Sequence, residues 1–203
     1  MKTLLTIIFS LVTALGLQAQ QEVDSVIRLP RPWMLPSHFK VQFAGSMGLI
    51  SSGIGYEILK NKAELDIYAG YTPESVGGDY FFTFTPKFTY KPWHITLKNN
   101  WSVTPLTTGA FFVFTTGSEF KTYRPDYYPR GYYWWSDGMR PNIFIGGMLH
   151  KKSKRETAAF SNMTLYYELG SNDLKMTSYI LNTQYFSILD VLHLGIGLKF
   201  NFE

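Results

Sequence analysis

LHLGIGLKFNF, Leu192 to Phe202, has two different faces. Leu192, Leu194, Ile196, Leu198, Phe200 and Phe202 occupy every second position, and His193, Gly195, Gly197, Lys199 and Asn201 fill the places between. Successive side chains of a β-strand point to opposite faces, so this stretch predicts a strand with one apolar face and one polar or glycine face. The same period recurs upstream. Leu65, Ile67, Ala69 and Tyr71 oppose Glu64, Asp66, Tyr68 and Gly70. Tyr80, Phe82, Phe84, Phe88 and Tyr90 oppose Thr83, Thr85, Lys87 and Thr89, and Trp93, Ile95, Leu97 and Trp101 oppose His94, Thr96 and Lys98. Segments 39–48, 50–60, 107–117, 140–150, 157–169 and 174–185 carry the pattern too. Together they predict about ten strands of about ten residues, the length at which a tilted strand crosses a bilayer. The turns read as short and polar: Lys60-Asn61-Lys62, Lys91-Pro92, Lys151 to Glu156 and Gly170 to Asp173. No helical periodicity competes.

Two architectures fit. In a soluble β-sandwich the apolar faces meet each other. In a transmembrane barrel they meet lipid, and the polar faces line the interior. Tyr56, Tyr71, Tyr80, Tyr90, Trp93 and Trp101 sit at the ends of the apolar faces, where aromatic girdles meet a membrane interface. Closure also satisfies every backbone hydrogen bond, as lipid demands. The expectation is therefore an all-β fold, an antiparallel transmembrane β-barrel of 8–10 strands. Ten strands would put segment 118–138 on the side of the termini, where turns are short. Merging 39–48 with 50–60 moves that segment to the other side but leaves an odd count, against the even number expected. An eight-strand solution stays open.

The start of the chain, MKTLLTIIFSLVTALGLQAQ, has Lys2 as its only charge, an apolar run from Leu4 to Leu15 and small or neutral residues after it. This reads as a cleaved secretory signal over 1–20, too short in its apolar run to span a membrane. An extended segment over 21–37 and a barrel over 38–203 follow, and the expected location is the outer membrane of a Gram-negative bacterium. The chain has no Cys, so neither a disulfide framework nor a lipid on cysteine is available. Aromatics make up 17% of residues, yet mean hydropathy is close to zero, as alternation rather than a solid apolar core requires. The net charge of +4 is scattered, and its one cluster, KKSKR from Lys151 to Arg155, reads as a solvated turn rather than a nucleic-acid site.

A barrel of this size is narrow, and side chains fill it. The inward set is read as Lys40, Gln42, Glu57, Glu64, Asp66, Lys87, His94, Lys98, Asn162, Glu168 and Lys199. Its acids and bases nearly match, which predicts a plug of ion pairs, since a lone buried charge is costly. A selective channel would want a ring of one sign. His38, His94, His150 and His193 lack metal-ligand spacing, and no cofactor or metal is expected. Gly53-Ile54-Gly55 precedes no helix, so it reads as relief of crowding in a strand rather than a phosphate loop.

RPDYYPRGYYWWSDGMRP, Arg124 to Pro141, is almost free of aliphatic residues. Tyr and Trp suit a membrane interface, and arginine forks suit phosphate or carboxylate. Arg124, Tyr127, Tyr128, Arg130, Tyr132, Tyr133, Trp134 and Trp135 are the candidate ligand-binding residues, for a lipid headgroup, lipid A or a glycan, in a loop otherwise read as a packed lid.

FAGSMGLISSGIGYEILKNKAELDIYAGYTPESVGG, DYYPRGYY, YYELGSNDL and LDVLHLGIGLKFNF resemble outer-membrane β-barrel proteins of the Bacteroidota type. The resemblance covers most of the chain after the signal and implies location and fold, with no catalytic residue. A more distant comparison is with lipid A deacylases, small barrels with a His-x-Ser-Asn motif and a later acid. Ser161-Asn162 stands in a comparable setting, with Asp173 or Glu168 as the acid. Ala159 stands where the histidine would be, and a serine nucleophile needs a base. His150 is the nearest substitute. The expectation is a monomeric structural or ligand-binding barrel in contact with outer-membrane lipid. A deacylase-like hydrolase and a narrow solute channel are its alternatives.

Overall fold

A computed structural model describes residues 35–116, 138–153, 160–185 and 187–202. The unit Pro36–Glu203 is a closed antiparallel barrel. Its strands are β1 (His38–Ala44), β2 (Ile50–Ile58), β3 (Ala63–Thr72), β4 (Phe81–Tyr90), β6 (Trp101–Thr116), β7 (Met139–Lys152), β8 (Phe160–Asn172) and β9 (His193–Phe202). Each pairs with the next, β4 pairs with β6, and β1 pairs with β9 to close the ring of eight. A two-residue strand, β5 (Ile95–Thr96), sits beside the start of β6. Among the described residues three helices lie in the connections: α1 (Glu74–Gly77), α2 (Asp173–Leu181) and α3 (Ile188–Val191). No helix of the described residues is long and apolar enough to cross a membrane.

Two expected strands are absent, which takes the count from ten to eight. Segment 93–101 alternates, but Pro92 removes a ladder donor, and Asn99 and Asn100 both adopt left-handed φ, 59° and 64°. They form the centre of a tight turn closed by Trp101 N–H donating to the Lys98 carbonyl at 3.4 Å. Positive φ at both central residues is the hairpin geometry, and the residues before it yield only β5. Segment 174–185 is mostly α2. Asn172 caps it, its side chain accepting from Lys175 N–H at 2.8 Å, and Asp173 lies in the first turn. Gly170 to Asp173 is accordingly the end of β8 and the start of a helix, not a turn. The run 39–48 stops at Ala44, where Ala44, Gly45, Ser46 and Gly48 all turn with positive φ.

The strand faces follow the sequence period. On β3, Glu64, Asp66 and Tyr68 are buried, while Leu65 and Ile67 stay 47% and 53% exposed. On β9, Lys199 is buried while Leu194, Ile196 and Leu198 are exposed. The usual distribution is thus inverted: buried charge inside, exposed apolar side chains around the wall. Strand β6 switches parity. A register shift between Thr104 and Thr107 lets Thr104 face in before it and Thr107, Phe111 and Val113 after it. The glycines of β2 make room. A Cβ on Gly53 would lie 2.8 Å from the Tyr68 ring, which lies across this strand from β3.

With eight strands the two ends differ. His38 pairs with Asn201, so both ends of the barrel chain lie together. Thr116 pairs with Phe82, at the other end, and Phe114 pairs with Met139 there. Strand β6 therefore ends and β7 begins at the end opposite the termini, which resolves the conflict that ten strands created. The termini end carries the connections 59–62, 91–100 and 153–159. The opposite, loop end carries 45–49, 73–80, 117–138 and 173–192.

Candidate functional site

The lumen near the termini holds a shared ion cluster. Strand register puts Lys40 opposite Lys199 and Glu57 opposite Glu64, two like-charged pairs that would repel on their own. The cluster resolves both. Lys199 Nζ donates to Glu57 Oε1 and Glu64 Oε1, each at 2.6 Å. Lys91 Nζ donates to the same Glu64 oxygen at 2.6 Å, and Lys40 Nζ donates to Glu64 Oε2 at 2.6 Å and Asp66 Oδ2 at 2.7 Å. His38 Nε2 lies 2.5 Å from Asp66 Oδ1. Three ammonium groups thus meet three carboxylates, with Glu64 at the centre and fully buried. One ligand atom from each of His38, Glu64 and Asp66 could converge on a metal, all lying within 4.8 Å of one another. The Lys40 ammonium already bonds both carboxylates, so a cation stands there as a side chain.

Further from the termini, the packing changes. Lys87 Nζ donates to both Glu168 oxygens, at 2.6 and 2.5 Å. Rings surround it: Phe144 at 4.5 Å, Tyr68 at 5.4 Å, Phe111 at 5.6 Å and Tyr166 at 5.9 Å to the centroids. Such faces attract a cation. The Tyr68 and Tyr166 hydroxyls lie 3.3 Å apart, and Tyr166 donates to Gln42 Oε1 at 3.1 Å. Met47, from the 45–49 turn, packs with Tyr68, Phe111, Val113 and Phe144 and is itself fully buried. Thr83 Oγ1 holds that turn by donating to the Met47 carbonyl at 2.5 Å. These side chains fill the middle of the barrel.

At the termini end a cavity of about 800 Å³ remains, reaching down to Lys199 and Glu57. It is bounded by the 59–62 turn, the 91–100 connection and the ends of β6 to β9.

Most of the expected inward residues point inward, with Lys40, Gln42, Glu64, Asp66, Lys87, Glu168 and Lys199 all buried. Lys98 does not: it belongs to the 91–100 connection, not to a strand, and is exposed; His94 belongs to the same connection but lines the cavity, its ring 5.3 Å from that of His150. His38 was not among the expected residues, though it shares the face of Lys40 and Gln42 two and four positions on. Tyr166 and Phe111 were likewise missed, because a large ring facing inward reads as an outward one until register is known.

The serine, histidine and acid do not come together. Ser161 is near the termini end of β8, where its Oγ donates to the Asn201 carbonyl at 3.3 Å. Asp173 begins α2 at the loop end, 3.7 Å from Arg140 Nη1, and the strand between them spans roughly 40 Å. His150 pairs in register with Thr164, not Ser161, and points inward. Both of its ring nitrogens are engaged, Nε2 2.9 Å from Thr104 Oγ1 and Nδ1 2.8 Å from Thr164 Oγ1. The candidate acid Glu168 is held by Lys87. Arg124, Tyr127, Tyr128, Arg130, Tyr132, Tyr133, Trp134 and Trp135 lie outside the described residues.

Compared with protein-family models, with curated proteins and with solved structures, the chain matches none.

Proposed function

We propose that the protein is an outer-membrane β-barrel, exported by its N-terminal signal, that serves as a structural or ligand-binding element and does not conduct. One observation carries this reading: the barrel is apolar outside and ionic inside. Ile54, Ile67, Ile145, Leu165 and Ile196 are about half exposed around the wall, while Lys40, Glu64, Asp66, Lys87 and Lys199 are buried. In water that arrangement wastes apolar burial and desolvates charge. In lipid the wall has its solvent, and closure gives each of the eight barrel strands a neighbour on both sides. Tyr56, Tyr90 and Trp93 toward the termini end, and Tyr71 and Tyr80 toward the loop end, are exposed where interfacial girdles belong. The even strand number and the shorter connections beside the termini match a barrel whose termini face the periplasm. On this reading the aromatic loop faces outward, where its arginines and rings would meet lipid A phosphates or a glycan. The resemblance to Bacteroidota-type barrels supports the same location.

The filled lumen supports a closed barrel over a channel. The separation of Ser161 from Asp173, with His150 turned to Thr104 and Thr164, favours binding over hydrolysis.

The test is fractionation followed by electrophoresis with and without boiling. Recovery in the outer membrane, with a band that shifts on heating, is the expected result, together with no conductance in planar bilayers. Recovery from the soluble periplasm without a shift would overturn the membrane reading, and stepwise conductance would overturn the closed lumen.

A further inference from the structure

The termini-end cavity differs from the lumen beneath it in having charge to spare. Five lysines and a single glutamate line it among the described residues. That glutamate, Glu57, is already held by Lys199, Lys91 and Asn201 Nδ2. Lys60, Lys62 and Lys152 stand exposed at its rim, with no carboxylate partner among the described residues. A cavity with one excess sign, set above a network that cannot supply counter-charge, concentrates anions.

The rest of the lining narrows the chemistry. Asn61, Asn99, Asn100, Asn162 and Asn201 face this space, and each side-chain amide can donate and accept at once. That dual capacity matches hydroxyl groups, which also do both. Asn61, Asn99 and Asn100 owe their places to left-handed turn backbone, φ 65°, 59° and 64°, so the turns that shape the mouth also place its amides. The volume, about 800 Å³, is that of a pocket for a ligand of a few rings.

We propose that the termini-end cavity binds a small acidic sugar, one bearing a carboxylate or a phosphate. Lys60 and Lys62 on one side of the mouth and Lys152 across from them supply the charge that draws in the anion, and the asparagines meet the hydroxyls. The cavity is part of the folded barrel whether or not the wall lies in lipid, so this inference and the membrane reading fail separately.

Calorimetric titration of the full-length folded protein in detergent tests it. The probes are cellobiouronic acid and glucose 1-phosphate, with cellobiose, glucose and inorganic phosphate as controls. At least one acidic sugar is expected to bind ten-fold or more tightly than both its neutral parent and phosphate. The variant with Lys60→Gln, Lys62→Gln and Lys152→Gln should lose that preference while keeping the heat shift of a folded barrel, and arginine at the same positions should retain it. Neither acidic sugar exceeding its neutral parent, phosphate matching both acidic sugars, or the glutamine variant binding unchanged would each overturn the assignment.

Discussion

In the half of the lumen nearest the termini, three lysines share three carboxylates through one central glutamate; further in, one lysine is paired with one glutamate inside a cage of rings. Both arrangements bury charge, and they differ in what holds it. Around Glu64 the charges are shared: each lysine meets two carboxylates and Glu64 meets all three lysines, so losing Glu64 leaves three ammonium groups to two carboxylates. Around Lys87 the pair is self-contained, and the surrounding packing of Phe111, Phe144, Tyr68 and Tyr166 is already that of an apolar core. Buried ion pairs are not stabilising in themselves, and well-packed apolar replacements often serve as well. The ring-caged pair is therefore replaceable as a unit, whereas a charge lost from the cluster unbalances all of it.

The largest effect should come from Glu64→Gln. It leaves Lys40, Lys91 and Lys199 with one acceptor fewer each, and breaking even one buried pair costs about 3–5 kcal/mol. Unfolding by urea in detergent should show a loss at the top of that range or beyond it, and a loss below about 1 kcal/mol would break the contrast between the two halves. Next, Glu168→Leu alone should cost about 3–5 kcal/mol by stranding the Lys87 ammonium. Adding Lys87→Met should recover most of that, and a double variant no better than the single would show the pair to be as interlocked as the cluster.

The comparison extends to the wall. Ile145 is 57% exposed at mid-strand on β7, and in water its replacement should stay within about 0.5 kcal/mol. With lipid outside, Ile145→Arg should cost about 2–4 kcal/mol in reconstituted vesicles. The smallest effect is expected for Ser161→Ala, which loses a single 3.3 Å bond to the Asn201 carbonyl. Stability should change by no more than about 0.5 kcal/mol, and lipid A profiles from cells carrying the variant should be unchanged.

Much of the barrel was legible because a two-residue period encodes which side faces in. Glu64, Asp66 and Lys199 could be assigned from their neighbours alone, and all are buried. What defeated the reading was alternation without pairing. Trp93, Ile95 and Leu97 repeat correctly, yet β4 reaches β6 directly and leaves them only a two-residue partner. Leu174, Met176 and Ile180 also alternate, but β8 pairs with β9 without them, and Asn172-Asp173 signalled a helix start that the period masked. Within the site, the charges were readable and their partners were not. Lys199 and Glu64 are 135 residues apart, and only closure of β1 onto β9 brings them together. The mouth cavity was hidden for the same reason, since its asparagines come from separate turns and strand ends.

The most direct test of the account uses the absence of native cysteine. Single cysteines at Leu65, Ile67, Ala69 and Leu165 on the wall, and at Lys60 on the rim, would each carry a nitroxide in protein reconstituted into vesicles. Collision with dissolved oxygen and with a water-soluble nickel complex is then measured at each site. Wall positions should be open to oxygen and closed to nickel, with Lys60 open to nickel. Wall positions as accessible to nickel as Lys60 would contradict it, and the apolar exterior would then belong to a barrel that does not meet lipid.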